Sequence, residues 1–257
     1  MRTSRSIVKK ILIILFWIGV WAALAILVDQ ELLLPSPVSV VLRLFVLIGE
    51  ASFWEITVVS ILRIMAGILC AMMLGVVMAV LTCRFTLLDE LFSPLLTVIK
   101  ATPVASFIIL LLIWLGRDSV PAVVSGLMVL PVVWNNINVG IRNTDSDLLE
   151  MADLYQLSSM VKLRRIIIPS VMPYFISAIK TSIGIGWKAG IAAEVLTVPV
   201  RSIGKMIYES KLYMETTNLF AWTLLVILIS LFIEKIIIAA VGKLGQTYSS
   251  ELVNDHG

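Results

Sequence analysis

Six apolar stretches, each about as long as a bilayer is thick, govern how this chain folds. A helix rises about 1.5 Å per residue, so roughly 20 apolar residues cross the hydrocarbon core. The first stretch, Ile11 to Val28, carries no charge. The second runs from about Thr57 to Leu81, and the third, about Leu91 to Leu115, contains Lys100 and Pro103. The fourth, Val120 to Ile141, is again uncharged. The fifth, about Met172 to Val198, holds Lys180, Lys188 and Glu194, and the sixth, Leu219 to about Val241, is interrupted by Glu234 and Lys235. In lipid the backbone must satisfy its own polar groups, so each stretch is expected to be a helix. The expected fold is all-α, a polytopic membrane protein with six transmembrane helices. Ile11 to Val28 is too long for a signal-peptide core and no small-residue cleavage site follows, so it reads as a retained helix.

Composition agrees. Hydrophobic residues make up 60% of the chain and its mean hydropathy is +1.03, against about 45–50% apolar in soluble domains. A net charge of +3 is too small and too scattered to suggest nucleic acid. Cys70 and Cys83 lie in or beside one stretch and read as packing residues rather than a disulfide. With His256 as the single histidine and no cysteine cluster, a zinc site is not expected.

Orientation follows from loop cations. With the N-terminus inside, ten fall on the inner side: Arg2, Arg5, Lys9, Lys10, Arg84, Arg142, Lys162, Arg164, Arg165 and Lys243. Five fall outside: Arg43, Arg117, Arg201, Lys205 and Lys211. Both termini are therefore expected in the cytosol, together with the loop that precedes the fifth stretch. Outside, Leu34 to Pro37 breaks the chain, and Val38 to Gly49 is expected to form a short interfacial helix. That segment and 199–218 serve as plain connections or as contacts for an extracytoplasmic partner.

The loop from Asp145 to Pro169 is unusually ordered in pattern. Asp147 reads as an N-cap with Glu150 three residues on, a variant capping box. Leu148, Met151, Ala152 and Tyr155 share one helical face. Ser158 or Ser159 can cap a second short helix, with Lys162, Arg164 and Arg165 toward its end. Pro169 and Pro173 are expected to mark a boundary before the fifth span.

Glu150, Ala152 and a proline nineteen residues after the glutamate, Pro169, resemble the EAA loop of permease subunits of ATP-binding-cassette importers. The likeness covers nearly the whole chain and looks like the nitrate, sulfonate and taurine branch. Leu34–Pro35–Ser36–Pro37, Thr57 with Arg63 and Gly67, Lys100 to Pro103 with Trp114–Leu115–Gly116, Trp187–Lys188, Ala192–Ala193–Glu194 and Ser202–Ile203–Gly204 carry it. The family usually has a glycine six residues after the glutamate; this chain has Gln156, which leaves the shape of the turn open.

The resemblance implies a MetI-like, type I importer architecture in a bacterial inner membrane. It implies an N-terminal part at 1–56, a five-helix transport core at 57–245 that includes the coupling loop 142–170, and a cytosolic tail at 246–257. Asp147, Glu150, Ala152, Tyr155, Gln156, Arg164 and Pro169 would then couple to an ATPase dimer. The other implied partners are a second permease copy and an extracytoplasmic substrate-binding protein or lipoprotein. ATP and magnesium would be held by the ATPase, with no cofactor in this chain. Alternating access would follow from closure of the ATPase dimer. The solute would be a small organic anion such as a sulfonate, taurine or nitrate, or a vitamin precursor.

Small residues recur every four positions at Gly67, Ala71, Gly75 and Ala79, a stripe that lets helices approach closely in lipid. A second stripe, Ser182, Gly186, Gly190 and Glu194, admits two readings, helix packing or a groove for solute that ends in a carboxylate. Ionisable groups inside a membrane are costly and are commonly functional. Lys188 and Glu194 are six apart and need separate partners; a pathway or gate role and interhelical pairing both stand. Lys180 can snorkel. Lys100 lines a pathway or neutralises a nearby carboxylate, and Asn135, Asn136 and Asn138 line a pathway or hydrogen-bond across helices as polar packing.

The chain has no GxxxxGK[ST] phosphate loop and no nucleophile–base set, so hydrolysis, of ATP or within the membrane, is not its own work. A separate ATPase supplies energy on this reading. The rival reading is an ion-coupled secondary transporter using Lys188 and Glu194, although no inverted repeat or matched pair of broken helices supports it.

Overall fold

The computed structural model describes the backbone of residues 2–254 and the side chains of residues 8, 9 and 11–240. Arg2, Arg5, Lys10, Lys243 and His256, counted above as charges or tail residues, lie outside the described side chains. Every regular element among the described residues is helical: α1 Arg2–Val28, α2 Pro37–Ile48, α3 Ala51–Arg84, α4 Thr86–Ala101, α5 Val104–Trp114, α6 Val120–Arg142, α7 Ser146–Leu154, α8 Ser159–Lys162, a π turn Leu163–Ile167, α9 Ile168–Thr197, α10 Ile203–Leu212 and α11 Thr216–Asn254. Among the described residues, five helices are long and apolar enough to cross a membrane, and the bent pair α4 and α5 makes a sixth span when taken as one.

The chain divides into two compact units, with boundaries inside α3 and α11. The first comprises residues 1–60 and 198–228. Here the proline-rich break starts a helix: Ser36 Oγ accepts the Ser39 N–H at 3.0 Å, and Pro37 opens α2, where a missing N–H does no harm. Val40, Leu44 and Leu47 bury one face of α2, while Val38, Leu42 and Phe45 stay exposed. Phe53 packs against Trp222 with ring centroids 5.2 Å apart. Ser60 Oγ accepts the Ile203 N–H at 2.8 Å, and Arg43 Nε donates to Asn218 Oδ1 at 3.1 Å.

The second unit comprises residues 61–197 and 229–257, and α6 is its centre. Helices α6 and α9 run antiparallel: Gly140 abuts Tyr174, Gly186 abuts Val129 and Gly190 abuts Ser125. Helix α3 lies on the same seam, where a Cβ at Gly67 would sit 2.0 Å from the Ala122 carbonyl oxygen. Only glycine permits that approach. Ile108 of α5, Val120 and Val124 of α6, and Ala189 and Ala193 of α9 form a buried apolar cluster.

Three expectations change. The third stretch is two helices meeting at 109°. Pro103 forces Thr102 into extended backbone, and Thr102 Oγ1 donates to the Val98 carbonyl at 2.7 Å, closing α4. Helix α3 begins at Ala51, earlier than Thr57. Pro169 and Pro173 mark no boundary, because the chain is helical without interruption from Ser159 to Thr197. A proline ring at 169 crowds the carbonyl four residues back, at Arg165. The wider π turn at Leu163–Ile167, which ends with the Ile168 N–H on the Leu163 carbonyl, accommodates it.

Candidate functional site

The loop between α6 and α9 is built by local hydrogen bonds. Asp145 caps α7, its Oδ1 accepting the Asp147 N–H at 2.9 Å. The expected cap at Asp147 is therefore corrected: the chain is already helical at Ser146, so Asp147 falls in the first turn and the capping box with Glu150 does not form. Ala152 is fully buried, whereas Leu148, Met151, Leu154 and Tyr155 are exposed. Glu150 is exposed beside them.

Helix α7 ends in a Schellman motif. The Leu157 N–H reaches the Ala152 carbonyl at 2.9 Å, and the Gln156 N–H reaches the Asp153 carbonyl at 3.0 Å. This requires a left-handed residue between them, and Gln156 supplies it at φ 53°. The turn thus has a glycine-like conformation without glycine, a strain of about 1 kcal/mol. Ser158 occupies the N-cap position of α8 with extended backbone, though its side chain makes no cap bond. Lys162 forms an ion pair with Asp153 across the turn. Arg164 is exposed on the π turn, and Pro169 sits half-buried within the continuing helix.

A polar chain leads inward from this loop. Arg142, in the last turn of α6, pairs with Asp89 Oδ2 of α4 at 2.7 Å and donates from Nε to Asn138 Oδ1 at 2.6 Å. Asn138 Nδ2 donates to Thr82 Oγ1 of α3 at 3.2 Å, and Trp134 Nε1 donates to the same oxygen at 2.9 Å. Lys100 Nζ lies 5.8 Å from the centre of the Trp134 ring. Asn138 and Trp134 are buried; Asn135 is exposed, and Asn136 bonds back to the Val132 carbonyl.

A second polar cluster joins α3 to α9. Glu194 is fully buried, and its Oε1 receives Arg63 Nη1 at 2.9 Å. Arg63 also lies 3.9 Å from Asp118. Sequence reasoning missed Arg63 as this partner, although it is a cation inside the second apolar stretch, where a buried carboxylate needs one. The Ser182–Gly186–Gly190–Glu194 stripe is filled by protein: a Cβ at Gly186 would meet Ile68 at 2.7 Å, and one at Gly190 would meet Ile64 at 2.8 Å. Lys188 lies on the other face of α9, exposed with Thr181 and Ala192, and Gly184 beside them has open space.

A helical chain with five or six candidate spans, one of them broken, and an ordered apolar-faced loop between two of them has the build of a multi-pass membrane protein. Residues 71–246 match the family described as binding-protein-dependent transport system inner membrane component, and the chain belongs to that family. A Bacillus subtilis (strain 168) protein, named as a permease for aliphatic sulfonates transport, is 28% identical over 90% of this chain and 80% of its own length. The taurine transport system permease protein of Escherichia coli (strain K12) is 21% identical over 90% of this chain and 86% of its own. The nitrate import permease protein of Leptolyngbya laminosa is 28% identical over 63% of this chain and 57% of its own. The chain is the permease subunit of an ATP-binding-cassette importer, a multi-pass protein of the inner membrane.

Proposed function

We propose that this permease pairs with a second copy, receives solute from an extracytoplasmic binding protein, and is driven by a separate ATPase dimer seated on the 145–169 loop. Both termini and that loop lie in the cytosol on this reading, as the loop cations favour. ATP and magnesium belong to the ATPase. One observation carries the reading: Leu148, Met151, Leu154 and Tyr155 form an exposed apolar face on a helix fixed by a cap at one end and a Schellman motif at the other. A rigid apolar patch beside charged Glu150 suits a protein groove better than water or lipid. Ala152 packs the helix down; Gln156 shapes the turn; Arg164 and Pro169 lie in the helix that leads to α9.

The solute on this reading is a small oxyanion. The relatives above are named for sulfonates, taurine and nitrate, whose shared group is an anionic oxygen cluster. Lys188 supports it. In the antiparallel register its level falls between Val129 and Ser125 of α6, well within the span, and its exposed side chain has open space at Gly184. A charged group at that depth needs an anion or a water-filled path. Lys100 and Asn135, also exposed, are further lining groups. Gly186, Gly190 and Glu194 frame the pathway from behind.

The test is co-purification with the neighbouring ATPase, then ATPase activity in lipid with binding protein and taurine, ethanesulfonate or nitrate. Stimulation that is lost on Glu150→Lys supports the reading. Absence of any ATPase partner, with uptake following an ion gradient, overturns it.

A further inference from the structure

We infer that Asp89, Arg142, Asn138 and Thr82 are positioning residues that clamp α4 along α6 and carry movement of the loop to the elbow of the broken span. This rests on the coupling reading above and adds the route inside the membrane. Helices α4 and α6 are antiparallel and joined at two levels. Asp89, in the first turn of α4, meets Arg142, in the last turn of α6. Lys100, in the last turn of α4, sits over Trp134 of α6. The two anchors are about 16 Å apart along α4, so the helix is held over nearly its whole length.

The middle of the clamp is buried. Thr82 Oγ1 accepts from both Asn138 and Trp134 and donates to the Ala79 carbonyl at 3.1 Å. Its capacity is therefore used in full, and α3 is tied into the set. Asn138 in turn fixes the Arg142 guanidinium through Nε, which leaves Nη2 aimed at Asp89. Arg142 stands three residues before Asp145, the cap of α7. A push on α7 thus acts on the very residue that grips the start of α4. At the far end of α4 the chain has no continuous helix to absorb the motion. Thr102 and Pro103 break it at 109°, next to Lys100. The displacement is released at that elbow. Asn138 is thereby a positioning group rather than a lining one.

A purely structural role would alter assembly; the clamp alters uptake per ATP. The assay uses the complete complex, permease, ATPase and binding protein, in proteoliposomes, with whichever of taurine, ethanesulfonate or nitrate the wild type takes up. Asp89→Arg and Asn138→Leu are each expected to lower uptake per ATP by about tenfold, a size usual for coupled sites, with the amount of assembled complex unchanged. The charge-swapped pair Asp89→Arg with Arg142→Asp is expected to restore part of it, since an aspartate at 142 pairs with position 89 but no longer donates to Asn138. If Asp89→Arg does not assemble, Asp89→Asn takes its place under the same criterion. Unchanged uptake per ATP in the assembled variants, while Glu150→Lys uncouples, overturns the clamp alone. Unchanged uptake in Glu150→Lys overturns the coupling reading beneath it.

Discussion

Arg63 Nη1 stands 2.9 Å from Glu194 Oε1, and the carboxylate has no exposure to solvent at all. Two segments far apart in sequence are joined there by opposite charges in a low-dielectric seam. Such a pair contributes little net stability compared with well-packed apolar residues, but removal of one member takes its countercharge from the other.

Arg63→Leu is accordingly expected to destabilise the permease by about 3–5 kcal/mol. The double variant Arg63→Leu with Glu194→Leu recovers much of that loss. Thermal unfolding of the detergent-purified chain checks it, and a single variant as stable as wild type would contradict the pairing.

Gln156 holds a backbone conformation that glycine adopts without strain. Gln156→Gly is expected to stabilise the α7 turn by about 1 kcal/mol, and Gln156→Val to weaken it by more, since a β-branched side chain is worst in that region. Amide hydrogen exchange at Leu157, whose N–H closes the motif, reads the difference.

Gly67 and Gly184 predict opposite responses to the same change. A methyl group at 67 meets a backbone oxygen that cannot yield, whereas nothing lies within 4 Å at 184. Gly67→Ala should shift α3 away from α6 and lower the yield of monodisperse protein. Gly184→Ala should leave it unchanged, as size-exclusion profiles of the two would show.

Lys188→Gln is expected to raise the KM for oxyanion uptake by about tenfold, the equivalent of one lost charge-assisted hydrogen bond of roughly 1.4 kcal/mol. Lys188→Arg keeps most of the affinity. Equal KM values across all three forms would remove Lys188 from the pathway.

Much of this was legible in the sequence because bilayer thickness fixes helix length. Runs such as Val120 to Ile141 announce a span by hydropathy alone, and α6 occupies that range nearly to the residue. The loop showed its helix pattern, since capping and amphipathicity are local. What stayed hidden depended on geometry across the fold. Pro103 breaks its stretch while Pro169 sits within an intact helix, and the local chemistry of the two residues is the same. The difference lies in neighbours: a π turn precedes one, and Thr102 closes a helix before the other. The partner of Glu194 required knowing that α3 lies against α9. The cap moved from Asp147 to Asp145 because either aspartate satisfies the same local rule.

The π turn at Leu163–Ile167 has a consequence for angular phase. One residue advances an ordinary helix by about 100°, so a turn that takes in an extra residue offsets everything downstream by that angle. The loop and α9 are thereby free to present faces that a single uninterrupted α-helix would not align. Deletion of one residue between 163 and 167 would remove the extra residue and its offset together and leave the faces of α9 where they are, whereas an α-turn that kept all five residues would rotate them by about 100°. In that second case the side of α9 that carries Lys188 would swing toward the direction now held by Ala189, into the cluster with Val120 and Val124. The register of the span is stored in those five residues, outside the span itself.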